Sequence, residues 1–510
     1  MLCRVGRTNR CFGGANTDFT EMAMRPGVTF LEDDLIQQIV AEAIDVLCTL
    51  GVDLHNEKVL ALLGDHGARV DLGGQHVVFT NDNIEAALKS VPSGFKLFDV
   101  LGNQTNDLSG DNVHFTPGTA ALQILDNASG EIRKPMTADY VDYAKVVSQL
   151  QNIASQSTAM IPADVPEQIS DSYRLFLSLL YCEKPVVTGT FTMESFEVMK
   201  DLQIAVRGSE DALRAKPLTI FSCCPTSPLS WSDITSQNVV DCASFGIPIE
   251  LIAMPLTGFM APVTLVGTLV AHTAETLSGL IISQLAVPGS PVLYGGAPAI
   301  FDIRYETTPF GAVETMMIDC AYAEIGKYLG LPTQAYTSLS DAKLLDAQAG
   351  LETGMGATLA ALSGINNISG PGMLDFVACQ SLEKLVLDNE ICGMVTRLIE
   401  GITPKEDFPA RPHFEELLRE KHLLISDHTR RYLREELYFG GPTIDRANRA
   451  RWEAEGRRTL GDRAHDEVVR LIASYEPSTL PENIKQRLVE LMDAEARRYG
   501  ADGLPERPPA

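Results

Sequence analysis

The chain has 510 residues, 45% of them apolar and 21% charged, and carries a net charge of −26. Those proportions are ordinary for a globular protein, and a chain this long can bury a large core spread over two or three domains. The charge argues against nucleic acid, whose phosphates need a basic surface, and against docking on anionic lipid, and is most simply a matter of solubility.

The first residues, MLCRVGRTNRCFGGANTDF, lack the apolar run of a secretory signal. Apolar residues at helical spacing predict helices over 33–50, 56–67 and 81–91, with Gly51 ending the first. Between them ARVDLGGQHVVFT predicts a hairpin turning at Gly73 and Gly74. Residues 1–111 therefore read as an N-terminal α+β cap.

From Asn112 the rhythm changes to short β-rich runs followed by longer helical patterns. The runs are VHFTPG (113–118), STAMIP (157–162), PVVTGT (185–190), PLTIFS (217–222), PIELIA (248–253), PVLYGG (291–296), PTQAY (332–336) and NNISG (366–370). Helices are expected over 139–150, 169–180, 193–206, 264–285, 311–329, 342–362 and 376–398. Near-continuous apolar strands suit a parallel sheet buried on both faces. The alternation predicts an α/β fold, and eight strands predict a (β/α)8 TIM-type barrel over 112–400, with an open doubly wound sheet as the alternative. Residues 401–510 turn charged and read as a C-terminal helical extension. The low-charge stretch 251–301 is broken by Pro255, Pro262, Pro288 and Pro291, which suits core helices and strands rather than a membrane span. Ten cysteines without zinc-like spacing read as reduced thiols of a cytoplasmic protein.

In such a barrel, reactive groups stand at the C-terminal ends of the strands and in the loops beyond. This selects His114, Phe115 and Thr116; Phe221, Ser222, Cys223 and Cys224; Glu250 with Met254 and Phe259; Asp302 and Arg304 among Phe301, Tyr305 and Phe310; Tyr336; and Asn366, Asn367 and Ser369. Gly295 and Gly296 would let a ligand approach the backbone. Arg304 could clamp a carboxylate through its planar fork, or form a surface ion pair with Asp302. The rings of Phe115, Phe221, Phe259, Phe301, Tyr305, Phe310 and Tyr336 could form a cage around a quaternary ammonium, or be ordinary packing. Glu250, an acid inside an apolar strand, would balance a cation or form a buried ion pair. His114 is either a donor to substrate or a core histidine. The P-loop pattern is absent, GMGATL lacks the third dinucleotide glycine, and HTAE is not a zinc motif. Cys223 and Cys224 could hold zinc only with a distant third ligand.

The segments YGGAPAIFDIRYETTPFGAVE, SDAKLLDAQAGLETGMGATLAALSGINNISGPGMLD and SLEKLVLDNEI resemble the trimethylamine methyltransferase family. The likeness extends from the cap to the charged tail and is most specific over 294–390. It implies a (β/α)8 barrel that passes a methyl group to the Co(I) of a corrinoid (cobalamin) carried by a partner protein, with no metal bound directly and a homo-oligomeric assembly. Founding members carry pyrrolysine near the place where this chain reads YTSLSDAK; only ordinary residues stand here. The resemblance is therefore to the non-pyrrolysine, glycine betaine methyltransferase-like branch, and implies a small quaternary amine bearing a carboxylate. Arg304, with Asp302 beside it, would hold the carboxylate; the rings of Phe221, Phe301, Tyr305 and Tyr336, with Glu250 and His114, would surround the rest. Two alternatives are a non-catalytic quaternary-amine binding protein and a zinc-dependent thiol:corrinoid methyltransferase using Cys223 or Cys224.

Overall fold

The computed structural model describes residues 25–127 and 129–508, so the N-terminal stretch read above, with Cys3 and Cys11, lies outside the described residues. They form two compact units, one of 27–396 with 440–508, the other of 25–26 with 397–439.

The larger unit begins with helices Asp33–Thr49, Glu57–Asp65 and Asn81–Ser90 and the antiparallel strands Arg69–Asp71 and His76–Val78, as the sequence pattern predicts. Helix starts are set by side chains that accept from orphan backbone donors. Asn56 accepts from the N–H groups of Lys58 and Val59, and Thr80 forms a reciprocal box with Asn83.

Each of the eight apolar runs contains a strand: β1 His114–Thr116, β2 Gln156–Ser157, β3 Val186–Thr188, β4 Thr219–Cys223, β5 Ile249–Ala253, β6 Val292–Gly296, β7 Gln334–Tyr336 and β8 Asn367–Ser369. All pair in parallel, in a five-stranded sheet ordered β6-β5-β4-β3-β2 and a three-stranded sheet ordered β7-β8-β1. Every residue of β5 and β6 is buried, as expected where helices cover the outer face. Two backbone bonds continue the pairing beyond the sheet edges. Tyr294 donates to the Pro332 carbonyl at 2.8 Å, and Ala154 donates to the Phe115 carbonyl at 2.9 Å. The chain is an α/β protein.

The helices after these strands are α1 Thr137–Gln149, α2 Ser170–Tyr181, α3 Met193–Arg207, α4 Asp233–Phe245, α5 Leu265–Ala286, α6 Val313–Tyr328, α7 Ala347–Leu362 and α8 Leu382–Ile399. The sequence reading lacks α4. Its segment, DITSQNVVDCASF, is rich in polar and β-branched residues, which are weak helix formers, and its start rests on Ser232 accepting from the Thr235 N–H. Helix α7 begins five residues later than expected, because the Asp346 carboxylate caps the N–H groups of Gln348 and Ala349. Helix α8 begins six residues later: Asp375, Phe376 and Val377 take left-handed backbone angles of 49°, 54° and 68°, turning the chain into a short antiparallel pair, Met373–Leu374 with Cys379–Gln380. Helix α5 is long and apolar enough to cross a membrane by composition, yet most of it is buried against Asp33–Thr49, Asn81–Ser90 and α4. It is a core helix.

The helices Leu460–Ala473 and Glu482–Arg498 bury one face each within the larger unit. The smaller unit holds helices Arg411–Glu420 and Asp427–Glu436, neither with a buried side chain, tied by ion pairs such as Arg397–Glu436 at 3.4 Å. The eight cysteines among the described residues form no disulfide.

Candidate functional site

Strand register brings one acid into the interior. Glu250 of β5 stands beside Ser222 of β4, whose hydroxyl donates to Glu250 Oε1 at 2.7 Å. Asn367 of β8 donates to Oε2 at 3.2 Å and itself accepts from the Thr116 hydroxyl of β1 at 2.8 Å. Glu250 is fully buried and both bonded partners are neutral, so burial pushes its carboxyl from an ordinary 4.5 up to about 7 despite those hydrogen bonds. It is not a member of a buried ion pair with lysine or arginine among the described residues.

A cavity of about 390 Å³ opens at the C-terminal ends of β3 to β7 and includes Ser222 in its lining. Tyr336, Phe310, Phe191, Phe376 and Met254 stand in its lining with Ile252 and Val377. The Tyr336 hydroxyl lies 2.9 Å from Thr119 Oγ1, and burial, with the nearby Glu250, raises its pKa so that the phenol stays neutral. Phe310 is pinned from behind: Asp341 accepts from the Phe310 N–H at 3.1 Å and the Gly311 N–H at 2.7 Å. Burial raises Asp341 to about 6. Arg174 of α2 also lines the cavity, buried and paired with Asp171 at 2.6 Å.

Of the residues selected from sequence, the structure brings Tyr336, Phe310, Ser222, Cys224 and Met254 to this cavity, with Glu250 bonded to its Ser222 wall. Others lie elsewhere. Phe221 points away from Ser222, as alternate strand residues must, and meets the Phe196 ring edge-on at 5.8 Å. His114 opens β1 rather than ending it, and its Nε2 lies 3.0 Å from the Asp107 carbonyl; burial lowers its pKa. Phe301 stacks on Phe259 at 5.0 Å, outside the cavity lining. The Arg304 side chain is 76% exposed, donates to both Asp302 oxygens, and borders a separate surface depression with Tyr305. Gly295 and Gly296 admit protein rather than ligand: a Cβ would come within 2.5 Å of Gln334 Oε1 at the first and 2.3 Å of His272 Nε2 at the second.

Phe191, Phe376 and Arg174 were not singled out by sequence. The signal for Arg174 was present: in SDSYRLFLSLLY the only charges, Asp171 and Arg174, are three residues apart and so share a helix face. Among the described residues no group of three or more His, Cys, Asp and Glu could hold a metal ion. Cys224 lines the cavity whereas Cys223 is buried outside its lining, and burial pushes the Cys224 thiol up to about 12.

Residues 4–500 match the sequence model of the trimethylamine methyltransferase (MTTB) family. The chain is 29% identical over 476 residues to a trimethylamine methyltransferase of Desulfitobacterium hafniense (strain DSM 10664 / DCB-2), covering 93% of this chain and 95% of that one. It is 28% identical over 480 residues to a glycine betaine methyltransferase of Desulfitobacterium hafniense (strain Y51), covering 94% and 99%. It is 32% identical over 450 residues to a trimethylamine methyltransferase of Methanosarcina thermophila, covering 86% and 92%. The crystal structure of the Methanosarcina barkeri monomethylamine methyltransferase is similar at a TM-score of 0.45 and 12% identity, covering 76% and 88%.

Proposed function

This chain belongs to the trimethylamine methyltransferase (MTTB) family and is a methyltransferase of that family; on that premise we propose that it moves a methyl group from a betaine-type quaternary amine to the Co(I) of a corrinoid on a separate protein. The observation that carries the reading is the aromatic-lined cavity backed, through Ser222, by a fully buried acid, Glu250, that has no cationic partner among the described residues. A quaternary ammonium has no N–H, so ring faces and negative charge are what can recognise it, at about 0.5–2 kcal/mol per ring. Tyr336 and Phe310 supply faces from the lining, and ionised Glu250, behind its Ser222 wall, supplies the charge.

In the transfer the N–CH3 bond breaks, its electrons stay on nitrogen as a lone pair, and the carbon bonds to the cobalt nucleophile. No proton needs to move, which fits a cavity whose phenol is held neutral. The residues bind the donor, aim one methyl toward the mouth and exclude water. The cavity lies within the ~300–1,000 Å³ of small-molecule sites and suits an amine rather than a corrin ring as well. The loops after β5 and β6 expose Phe259, Val263, Ile303 and Tyr305, apolar surface of the kind a partner protein covers.

Closure of the eight strands into a (β/α)8 barrel is supported by the Tyr294–Pro332 and Ala154–Phe115 bonds, which bridge the two sheets at both edges. Asn367 of β8 reaching Glu250 of β5 through the interior supports it too. The unpaired thiols fit a cytoplasmic setting. The zinc-thiol alternative draws no support from two adjacent cysteines that diverge, one into the cavity and one away from it.

The test is methyl transfer from a panel of quaternary amines to free Co(I) cobalamin, followed by absorbance. Formation of methylcobalamin with at least one of them is expected. Ligand-raised melting temperature without cobalt methylation would leave a binding protein instead.

A further inference from the structure

We propose that Arg174 seats the carboxylate of the substrate, so that the cavity selects zwitterions over simple cations; this rests on the quaternary-amine reading above. Arg174 rises from α2, a helix whose twelve residues are all buried and whose only charges are Asp171 and Arg174. Its guanidinium is fixed by three bonds: Nε donates to the Ser170 carbonyl at 3.3 Å, Nη1 to the Thr158 carbonyl at 3.2 Å and Nη2 to Asp171 Oδ1 at 2.6 Å. A guanidinium has five N–H donors. Three are used, so one remains on each terminal nitrogen, at a group that lines the cavity.

Asp171 takes one N–H of Arg174 and does not reach the other two. Its Oδ1 holds Arg174 and its Oδ2 accepts from the Phe191 N–H at 2.6 Å. That second bond fixes the loop whose Phe191 ring lies 5.4 Å from the guanidinium carbon. The donors are thus preoriented and shielded, and a planar fork with paired N–H groups matches a carboxylate. A lone cation would satisfy Glu250 and leave these donors without an anion. A molecule with an ammonium at one end and a carboxylate at the other would engage both groups.

The experiment measures calorimetric binding of glycine betaine, proline betaine and carnitine, each against choline, which keeps the ammonium and lacks the carboxylate. The full chain should prefer at least one betaine over choline by about tenfold to a hundredfold, the worth of hydrogen bonds to a charged group. Arg174→Gln should abolish that preference without weakening choline binding. Because this variant strands Asp171, the double variant Asp171→Asn with Arg174→Gln is measured beside it; removing both charges together avoids an unpaired one. Persistence of the preference in both variants overturns the assignment. So does an equal loss of choline and betaine binding, which would mean that Arg174 only shapes the cavity. A parent chain that binds choline and the betaines equally removes the carboxylate seat and leaves the amine reading standing; one that binds none of the four overturns both.

Discussion

Neither end of a betaine titrates between pH 5.5 and 8.5, so any pH dependence of its affinity in that range reports on the protein. Glu250 is held at about 7 by burial. A bound ammonium favours the ionised form, so binding expels a proton and affinity must rise with pH. At pH 6 about one Glu250 in eleven is ionised and at pH 8 about ten in eleven, which gives an apparent affinity about tenfold higher at pH 8. Proton release at pH 6 should be about 0.9 per ligand, read from calorimetry in buffers of different ionisation enthalpy. Glu250→Gln should remove that tenfold rise and hold affinity near the low-pH limit of the parent. Asp341, raised to about 6, titrates in the same window, but its contribution would survive in Glu250→Gln. The raised pKa also sets a stability trend: the protonated carboxyl contributes fully below 4.5, and that contribution is lost as pH rises through about 7. Glu250→Gln should therefore gain on the parent in melting temperature between pH 5 and pH 8. A parent affinity that is flat over the range, or a variant that keeps the full slope, would refute the role given to Glu250.

Three further outcomes follow from packing and charge. Arg304→Ala should change betaine affinity by less than about threefold in the same calorimetry, since its exposed ion pair with Asp302 lies outside the cavity lining. Lys384→Met should destabilise the fold by about 3–5 kcal/mol in thermal unfolding, because it strands Asp388 with both side chains fully buried; adding Asp388→Leu should recover most of the loss. Gly356→Ala places a Cβ 2.0 Å from the Thr337 carbonyl, next to Tyr336. Overpacking of this kind costs about 1–3 kcal/mol, and amine affinity should fall with the melting temperature because the end of β7 must move.

Much of the fold is legible in the sequence because strands buried on both faces leave unbroken apolar runs. All eight were found that way, and Glu250 stood out because an acid interrupts one of them. What the runs do not encode is which side of the pleat a residue takes relative to a pocket made by several loops. Phe221 and Ser222 are neighbours, and only register with Glu250 decides that the serine faces inward. Arg174 escaped notice for a different reason. Its helix looks like any apolar core helix, and the value of its two charges depends on a cavity assembled from several loops, some, such as those of Phe310 and Tyr336, more than a hundred positions away. Arg304 drew attention through its loop, where the local Asp302 satisfies it. The two-residue spacing allowed that local ion pair as well as a carboxylate clamp, and the exposure that decides between them is not written in the motif.

The turn at Asp375, Phe376 and Val377 reverses the handedness of the chain for three residues without a glycine among them. L-residues bear roughly 1–2 kcal/mol each in that conformation, and glycine would relieve it. Phe376 and Val377 are cavity lining, and Phe376 also lies under the Lys343 ammonium at 3.8 Å. Glycine at either site would give an easier turn and a cavity missing part of one wall. This stretch is therefore a place where selecting variants for heat resistance alone should enlarge the cavity, and where stability and discrimination between amines of different girth pull the sequence in opposite directions.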